Sequence, residues 1–202
     1  MNFSSKLLED AVSAFASLPG IGKKTALRLV LHLLNHDKEK TDEFCQSIQK
    51  MRAEICFCKD CHNVSDGELC TICLAPKRDR SLVCIVENIR EIMAIENTHQ
   101  YNGLYHVLGG VISPIEGISP SDLNIHSLLD RTEKGEIKEV IMAISPTIEG
   151  DTTIFYLSQR LKPKGIKISI LARGVSFGGE LEYADELTLG RSIIGRTPYA
   201  NP

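Results

Sequence analysis

Four cysteines set the first chemical constraint on this 202-residue chain. Cys58-x2-Cys61 and Cys70-x2-Cys73 are two closely spaced pairs separated by eight residues. A CxxC turn brings two thiolates to one ion, and two such turns complete the tetrahedral sulfur shell that zinc prefers. Four thiolates leave no open position for a substrate, so the expected zinc is structural. Asn63 and Gly67 supply turn positions between the knuckles. The competing reading is a set of redox or simply buried thiols. The stretch 56–76 has no apolar core of its own, which favours metal. Using Cys56 or His62 as a ligand would break one of the two knuckles, so both rank below the four-cysteine set. Cys45, on an amphipathic segment, and Cys84, in an apolar run, read as core thiols.

A second constraint comes from Leu18-Pro19-Gly20-Ile21-Gly22-Lys23-Lys24. Pro19 cannot continue a helix, and Gly20 and Gly22 allow backbone angles and close approach that a side chain would block. The next helix opens with free N–H groups and a partial positive charge. Two lysines in that first turn oppose the helix dipole unless an anion docks there, and a phosphate is the natural candidate. No acid lies between Asp10 and Asp37, whereas Lys23, Lys24 and Arg28 do. The competing reading is a plain helix pair with solvated lysines. One such patch would grip a phosphate backbone weakly and with strong salt dependence, which calls for several copies acting together.

The third group is acidic. Glu87 ends an apolar run, and Glu149 and Asp151 flank Gly150 in the loop expected after a later strand. In open α/β sheets ligands sit beyond the carboxyl ends of strands, so these carboxylates are expected to converge there and hold Mg2+. Helix capping is the alternative use for them. No P-loop, GxGxxG or Ser-His-Asp set is present, and Gly174-x3-Gly178-Gly179 lacks a following lysine.

The elements that must position these groups follow from periodicity. Helices are expected from a Ser4 or Ser5 cap through Leu7, Leu8, Val12 and Phe15, then through Ala26 to Leu34. A third runs from about Thr41 to Ile55, with Phe44, Ile48, Met51 and Ile55 on one face. From Ser81 strands and helices alternate. Ser81–Glu87 reads as a strand buried on both faces, followed by an Asn88-capped helix. Further strands are expected at Tyr105–Leu108, Glu139–Ile144 and Ile166–Leu171, with helices at Leu123–Leu129 and Asp151–Leu161. This alternation implies a mostly parallel sheet with helices on both faces. The glycine-rich end reads as a strand, a helix pair or an arm.

Bulk properties agree with a multi-part globular chain. Hydrophobic residues make up 43% and charged residues 24%, with a net charge of −3, which excludes a globally basic coat. No apolar run is long enough to span a bilayer, and the N-terminus lacks a secretory pattern. The expectation is a cytoplasmic protein whose cysteines serve as ligands or buried thiols rather than disulfides.

In this order, these motifs resemble the RecR family of bacterial recombination mediators over essentially the whole length. Leu18–Gly22 with Lys23 is similar to the family's helix-hairpin-helix, and Cys58, Cys61, Cys70 and Cys73 to its zinc finger. Val86-Glu87, Ser145–Asp151 and the tail Ala172–Asp185 resemble its Toprim region and signature. The resemblance implies an α+β chain in four parts: a helix-hairpin-helix domain (1–54), a four-cysteine zinc finger (55–77), an α/β Toprim domain with a mostly parallel sheet (78–173) and a C-terminal assembly arm (174–202).

It also implies a non-enzymatic, ring-shaped homotetrameric clamp on double- or single-stranded DNA, associated with the nucleoid. This clamp works in recombinational DNA repair with RecO and RecF, helping RecA load onto gapped DNA covered by single-strand-binding protein. By the same resemblance Gly20, Gly22, Lys23, Lys24 and Arg28 become candidate DNA contacts. Glu87, Glu149 and Asp151 become candidates for contact with RecO, or for Mg2+. Glu149 stands where catalytic Toprim domains carry the first Asp of a DxD motif. The alternative function is a Mg2+-dependent Toprim enzyme, nuclease or primase-like, acting on DNA.

Overall fold

The structure is a computed structural model that describes residues 3–175, 178 and 180–198. It divides into two compact units, residues 1–55 and 56–202.

The first unit is helical. Ser5 caps α1 (Lys6–Ala16) by accepting the Leu8 N–H. The chain then turns at Gly20, whose φ of +79° is the left-handed conformation glycine adopts without strain, and enters α2 (Lys23–Leu34). Val12, Ala26 and Val30 form the buried contact between the two helices, sealed by Leu8, Phe15, Ile21 and Leu27. α3 (Lys38–Glu54) starts three residues earlier than periodicity implies and buries none of its side chains. Its expected apolar face is present, yet Phe44, Ile48 and Met51 are 42%, 47% and 52% exposed. Cys45 is exposed as well, so its assignment to the core is corrected: among the described residues of this unit, α3 touches α2 through the Thr41 hydroxyl but leaves its apolar face open.

The second unit begins with a small hairpin, β1 (Cys56–Phe57) against β2 (Val64–Ser65), and a single helical turn, α4 (Thr71–Leu74). Then come β3 (Asp79–Val86), α5 (Ile89–Glu96), β4 (Gly103–Val107), α6 (Ile125–Glu133), β5 (Glu139–Ala143), α7 (Ile148–Leu161), β6 (Lys167–Ile170) and α8 (Glu186–Ile194). The four long strands form one parallel sheet in the order β4-β3-β5-β6.

Side-chain alternation along β3 builds two cores. Val83 and Ile85 pack with Leu128 of α6 and with Leu157 and Leu161 of α7. Cys84 and Val86 pack on the other face with Ile92 of α5. The continuous apolar run is explained by burial on both faces. α5 carries its expected cap as a full box: Asn88 accepts the Arg90 N–H, and Glu91 accepts the Asn88 N–H. Arg78 reaches across to pair with Glu96, which also accepts the Tyr105 hydroxyl at 2.7 Å. This tie anchors the chain entering β3.

α7 starts at Ile148, not at Asp151, because Thr147 caps it by accepting the Gly150 N–H at 3.0 Å. Glu149 and Asp151 therefore sit in the first helical turn rather than in a loop. Gly150 is fixed by packing: a Cβ there would run into the Ser145 carbonyl oxygen. Gly150→Ala should therefore destabilise the second unit by about 2–3 kcal/mol. A denaturant midpoint that falls at unchanged slope checks this.

Among the described residues the tail holds one helix, α8, preceded by a short 3-10 turn over Leu181–Tyr183, where a strand, a helix pair or an arm was expected. Ser176, Phe177 and Gly179 of the tail signature lie outside the described residues.

Candidate metal centre and nucleic-acid interface

The sulfurs of Cys58, Cys61, Cys70 and Cys73 lie within 4.8 Å of one another, and the four side chains are only 1–3% exposed. Among the described residues they form the one group of three or more His, Cys, Asp or Glu side chains able to close on an ion. Each knuckle is shaped by a backbone bond: the His62 N–H donates to the Cys58 carbonyl in the first, and the Leu74 N–H donates to the Cys70 carbonyl in the second. The two alternative ligands are used elsewhere. The Cys56 thiol hydrogen-bonds the carbonyls of Ser65 and Gly67, and His62 Nε2 lies 2.7 Å from Ser127 Oγ.

Four thiols packed this closely cannot all ionise without a cation. The hydrogen bond from Cys61, helped by nearby Arg131, holds the Cys73 thiol below the usual thiol range, while that same bond and burial push Cys61 up. A bound zinc ion removes this conflict by stabilising all four thiolates.

The cysteine cluster is fastened to the large sheet. The Val107 N–H donates to the Cys61 carbonyl at 2.8 Å, and the Arg80 guanidinium donates to the Cys73 carbonyl at 3.2 Å. Ile72 packs against the cluster and against both sheet cores. His106 supports the same junction. Its ring stacks edge to face with His62, and its Nε2 donates to the Asn124 carbonyl at 2.8 Å.

Burial pushes the His106 pKa down to about 3, so the folded chain holds it neutral. Its folded value lies below the unfolded one, so its contribution to stability is present above pH ~6.5 and is lost as pH falls toward 3. The pH slope of stability between pH 6.5 and 4 should therefore be shallower by about one proton in His106→Gln than in the unsubstituted chain. Parallel denaturation series at several pH values measure the difference.

At the other candidate site, α2 begins directly after Gly22 with no side-chain cap and no acid in its first turn. Lys23, Lys24 and Arg28 are all exposed, and none is paired with a carboxylate among the described residues. Gly22 has an ordinary φ of −79°, and a Cβ there would meet nothing within 4 Å, so its value is an unobstructed approach to the helix end rather than a special conformation. Gly20 alone carries the turn.

The acids lie at the carboxyl ends of β3 and β5. Glu87 accepts the Ser145 N–H at 2.6 Å. Asp151 pairs with Arg173 at 2.9 Å and with Arg191 at 3.9 Å. Both arginines line a cavity of about 460 Å3 with Ser145, Pro146 and Thr188. The expected convergence of Glu87, Glu149 and Asp151 into one metal-holding group does not form.

Four segments of the chain match known families. Residues 8–52 match the family described as RecR, helix-hairpin-helix, and residues 55–74 match the RecR four-cysteine zinc finger domain. Residues 81–172 match the Toprim domain, and residues 174–197 match RecR, C-terminal. A relative from Bacteroides thetaiotaomicron named Recombination protein RecR is 60% identical over 195 residues, covering 96% of this chain and 95% of the relative. Proteins of the same name from Porphyromonas gingivalis and Flavobacterium psychrophilum are each 56% identical, covering 98% and 100% of this chain and 96% and 98% of the relatives.

The chain belongs to the RecR family. Its RecR zinc finger has the donors for a structural zinc, to be held by Cys58, Cys61, Cys70 and Cys73. Its Toprim domain does not fit a Mg2+ ion in the same way. Mg2+ is bound through carboxylates and waters, and here one carboxylate is occupied by a backbone N–H and another by guanidinium groups.

Sequence reasoning missed Arg173 and Arg191 as partners of Asp151, and Arg80, Arg131 and His106 as supports of the zinc finger. Arg131 donates to the Tyr105 carbonyl at 2.7 Å. Arg173 stands inside the tail signature, but nothing in the spacing points it at Asp151. Among the described residues, no helix is long and apolar enough to cross a membrane.

Proposed function

We propose that this recombination protein acts as a non-enzymatic mediator of DNA repair that grips DNA without regard to sequence through its helical hairpin. The observation that carries this reading is the uncapped start of α2, where Lys23 and Lys24 stand exposed with Arg28 one turn on. Free N–H groups, the helix dipole and three cations there suit a phosphate backbone. Gly20 and Gly22 shape the approach.

The grip of one copy is small, so several copies act together as a ring-shaped homotetramer that encircles double- or single-stranded DNA in the cytoplasm, at the nucleoid. The uncovered apolar face of α3 and the arm from residue 174 onward supply surfaces for assembly. In this reading the chain works with RecO and RecF to promote RecA loading on gapped or single-stranded DNA covered by single-strand-binding protein. Glu87, Glu149 and Asp151 serve contact with RecO. The parts act as domains 1–54, 55–77, 78–173 and 174–202. The names of the relatives support the recombination role.

The expected result is DNA binding without turnover when the purified protein is incubated with Mg2+ and gapped DNA. Strong Mg2+-dependent cleavage, abolished by Glu87→Gln, would replace this reading with that of a Toprim enzyme.

A further inference from the structure

His32 and His36 meet at the end of α2. His32 occupies the last turn of the helix, and His36 follows the Asn35 C-cap. The rings lie edge to face with centroids 4.4 Å apart, and their Nε2 atoms are 2.9 Å apart. Both side chains are exposed, so core packing does not force the contact. The backbone fixes their spacing: the His36 N–H donates to Leu33, and the Asn35 N–H donates to Leu31 and His32.

Two imidazole nitrogens at this distance share a single proton, with one lone pair directed at the other ring's N–H. A metal ion is the other species that takes two such lone pairs. Metal–imidazole bonds are about 2.0–2.1 Å long. With the observed 2.9 Å between donors, such bonds enclose about 90° at the ion. That is a cis angle of square-planar or octahedral coordination, the geometries of Cu2+ and Ni2+, and is tighter than the tetrahedral angle of a zinc site. Histidines four residues apart are a recurrent way for one helical segment to offer two ligands. The carbonyls at a helix C-terminus carry partial negative charge, which adds a cation-favouring field.

We propose that His32 and His36 form a two-point chelate for a late divalent transition metal of the Ni2+/Cu2+ class. When the ion binds, the ring that held its proton on Nε2 carries it on Nδ1 instead, so both Nε2 lone pairs face the ion and the pair stays neutral. The other coordination positions stay open to water or to an incoming oxygen or nitrogen donor. This site is built from residues of the first compact unit and uses none of the four cysteines.

The test is calorimetric titration of the untagged, zinc-loaded full chain with Ni2+, read together with paramagnetic broadening of the histidine ring signals. Ni2+ is used because Cu2+ would oxidise the exposed thiols of Cys45 and Cys56. The expected result is one Ni2+ per chain beyond the zinc, with His32 and His36 rings broadened first. His32→Ala and His36→Ala should each weaken binding by at least about tenfold, since either removes half of the chelate. His126→Ala and His99→Ala, at other exposed imidazoles, should leave it unchanged. All four variants alter exposed side chains and should keep the native circular dichroism. The proposal is overturned if the zinc-loaded chain takes up no further Ni2+. It is equally overturned if both His32→Ala and His36→Ala retain full affinity, or if His126→Ala lowers it as much as they do.

Discussion

Serine in place of Cys58 or Cys73 should abolish zinc retention and unfold the segment from 58 to 74. Zinc-finger peptides gain about 10–16 kcal/mol from the metal at neutral pH, and that binding energy is folding energy. It is comparable with the whole stability of a typical domain, about 5–15 kcal/mol. The segment has no apolar core to replace it: its buried hydrophobic residues are the four cysteines themselves, with Leu69 and Ile72 packed beside them.

The damage should spread beyond the finger. Losing it removes the acceptor of the Val107 N–H, the carbonyl that Arg80 bonds and the Ile72 contact with both sheet cores. Amide exchange should then show residues 58–74 unprotected and Val107 weakened, with α7 still protected around the fully buried Leu157. Cys56→Ser is the control. That thiol only donates to two backbone carbonyls, and a hydroxyl can do the same, so zinc content should stay at one per chain. Full zinc content in Cys58→Ser would show that the metal is held by a different set.

The second large effect is on DNA affinity. Lys23→Ala combined with Lys24→Ala removes two cations per chain from the uncapped end of α2. In a four-chain ring this amounts to about eight lost phosphate contacts. Each contact contributes about 0.9 to the slope of log affinity against log salt, so the slope should flatten by as much as about 7. At low salt the loss should be at least about a hundredfold. Lys23→Arg with Lys24→Arg keeps the charges and should keep most of the slope. Because the side chains are exposed and unpaired among the described residues, thermal stability should hardly change. If the alanine pair leaves both affinity and slope intact, the hairpin is not the grip.

What the sequence revealed and what it concealed divide along a physical line. The four cysteines, the Asn88 cap and the start of α2 were legible because their chemistry is local, set by neighbours a few residues apart. β3 was legible because burial on both faces leaves an unbroken apolar run from Leu82 to Val86. The start of α7 was misread because Thr147 rather than Asp151 is the cap, and a threonine after a proline gives a weaker signal than a pair of acids.

The pairings of the carboxylates were hidden for a different reason. Glu87 meets Ser145 across 58 positions, and Asp151 meets Arg173 across 22, and no spacing rule reports such pairings. The face of α3 was read correctly as apolar. Whether an apolar face is covered within one chain or left for another is decided by tertiary arrangement, and a periodicity argument carries no information on that point.

The central claim is that weak hairpin grips act in concert around DNA, where linked copies gain affinity through effective concentration. Mass determination in solution, with and without DNA and across a salt series, tests it most directly. The expected result is a four-chain species that binds DNA as a unit, with a steep salt dependence that the Lys23→Ala, Lys24→Ala variant loses. A single chain that binds DNA alone, with a slope of only about 2 or 3, would contradict it.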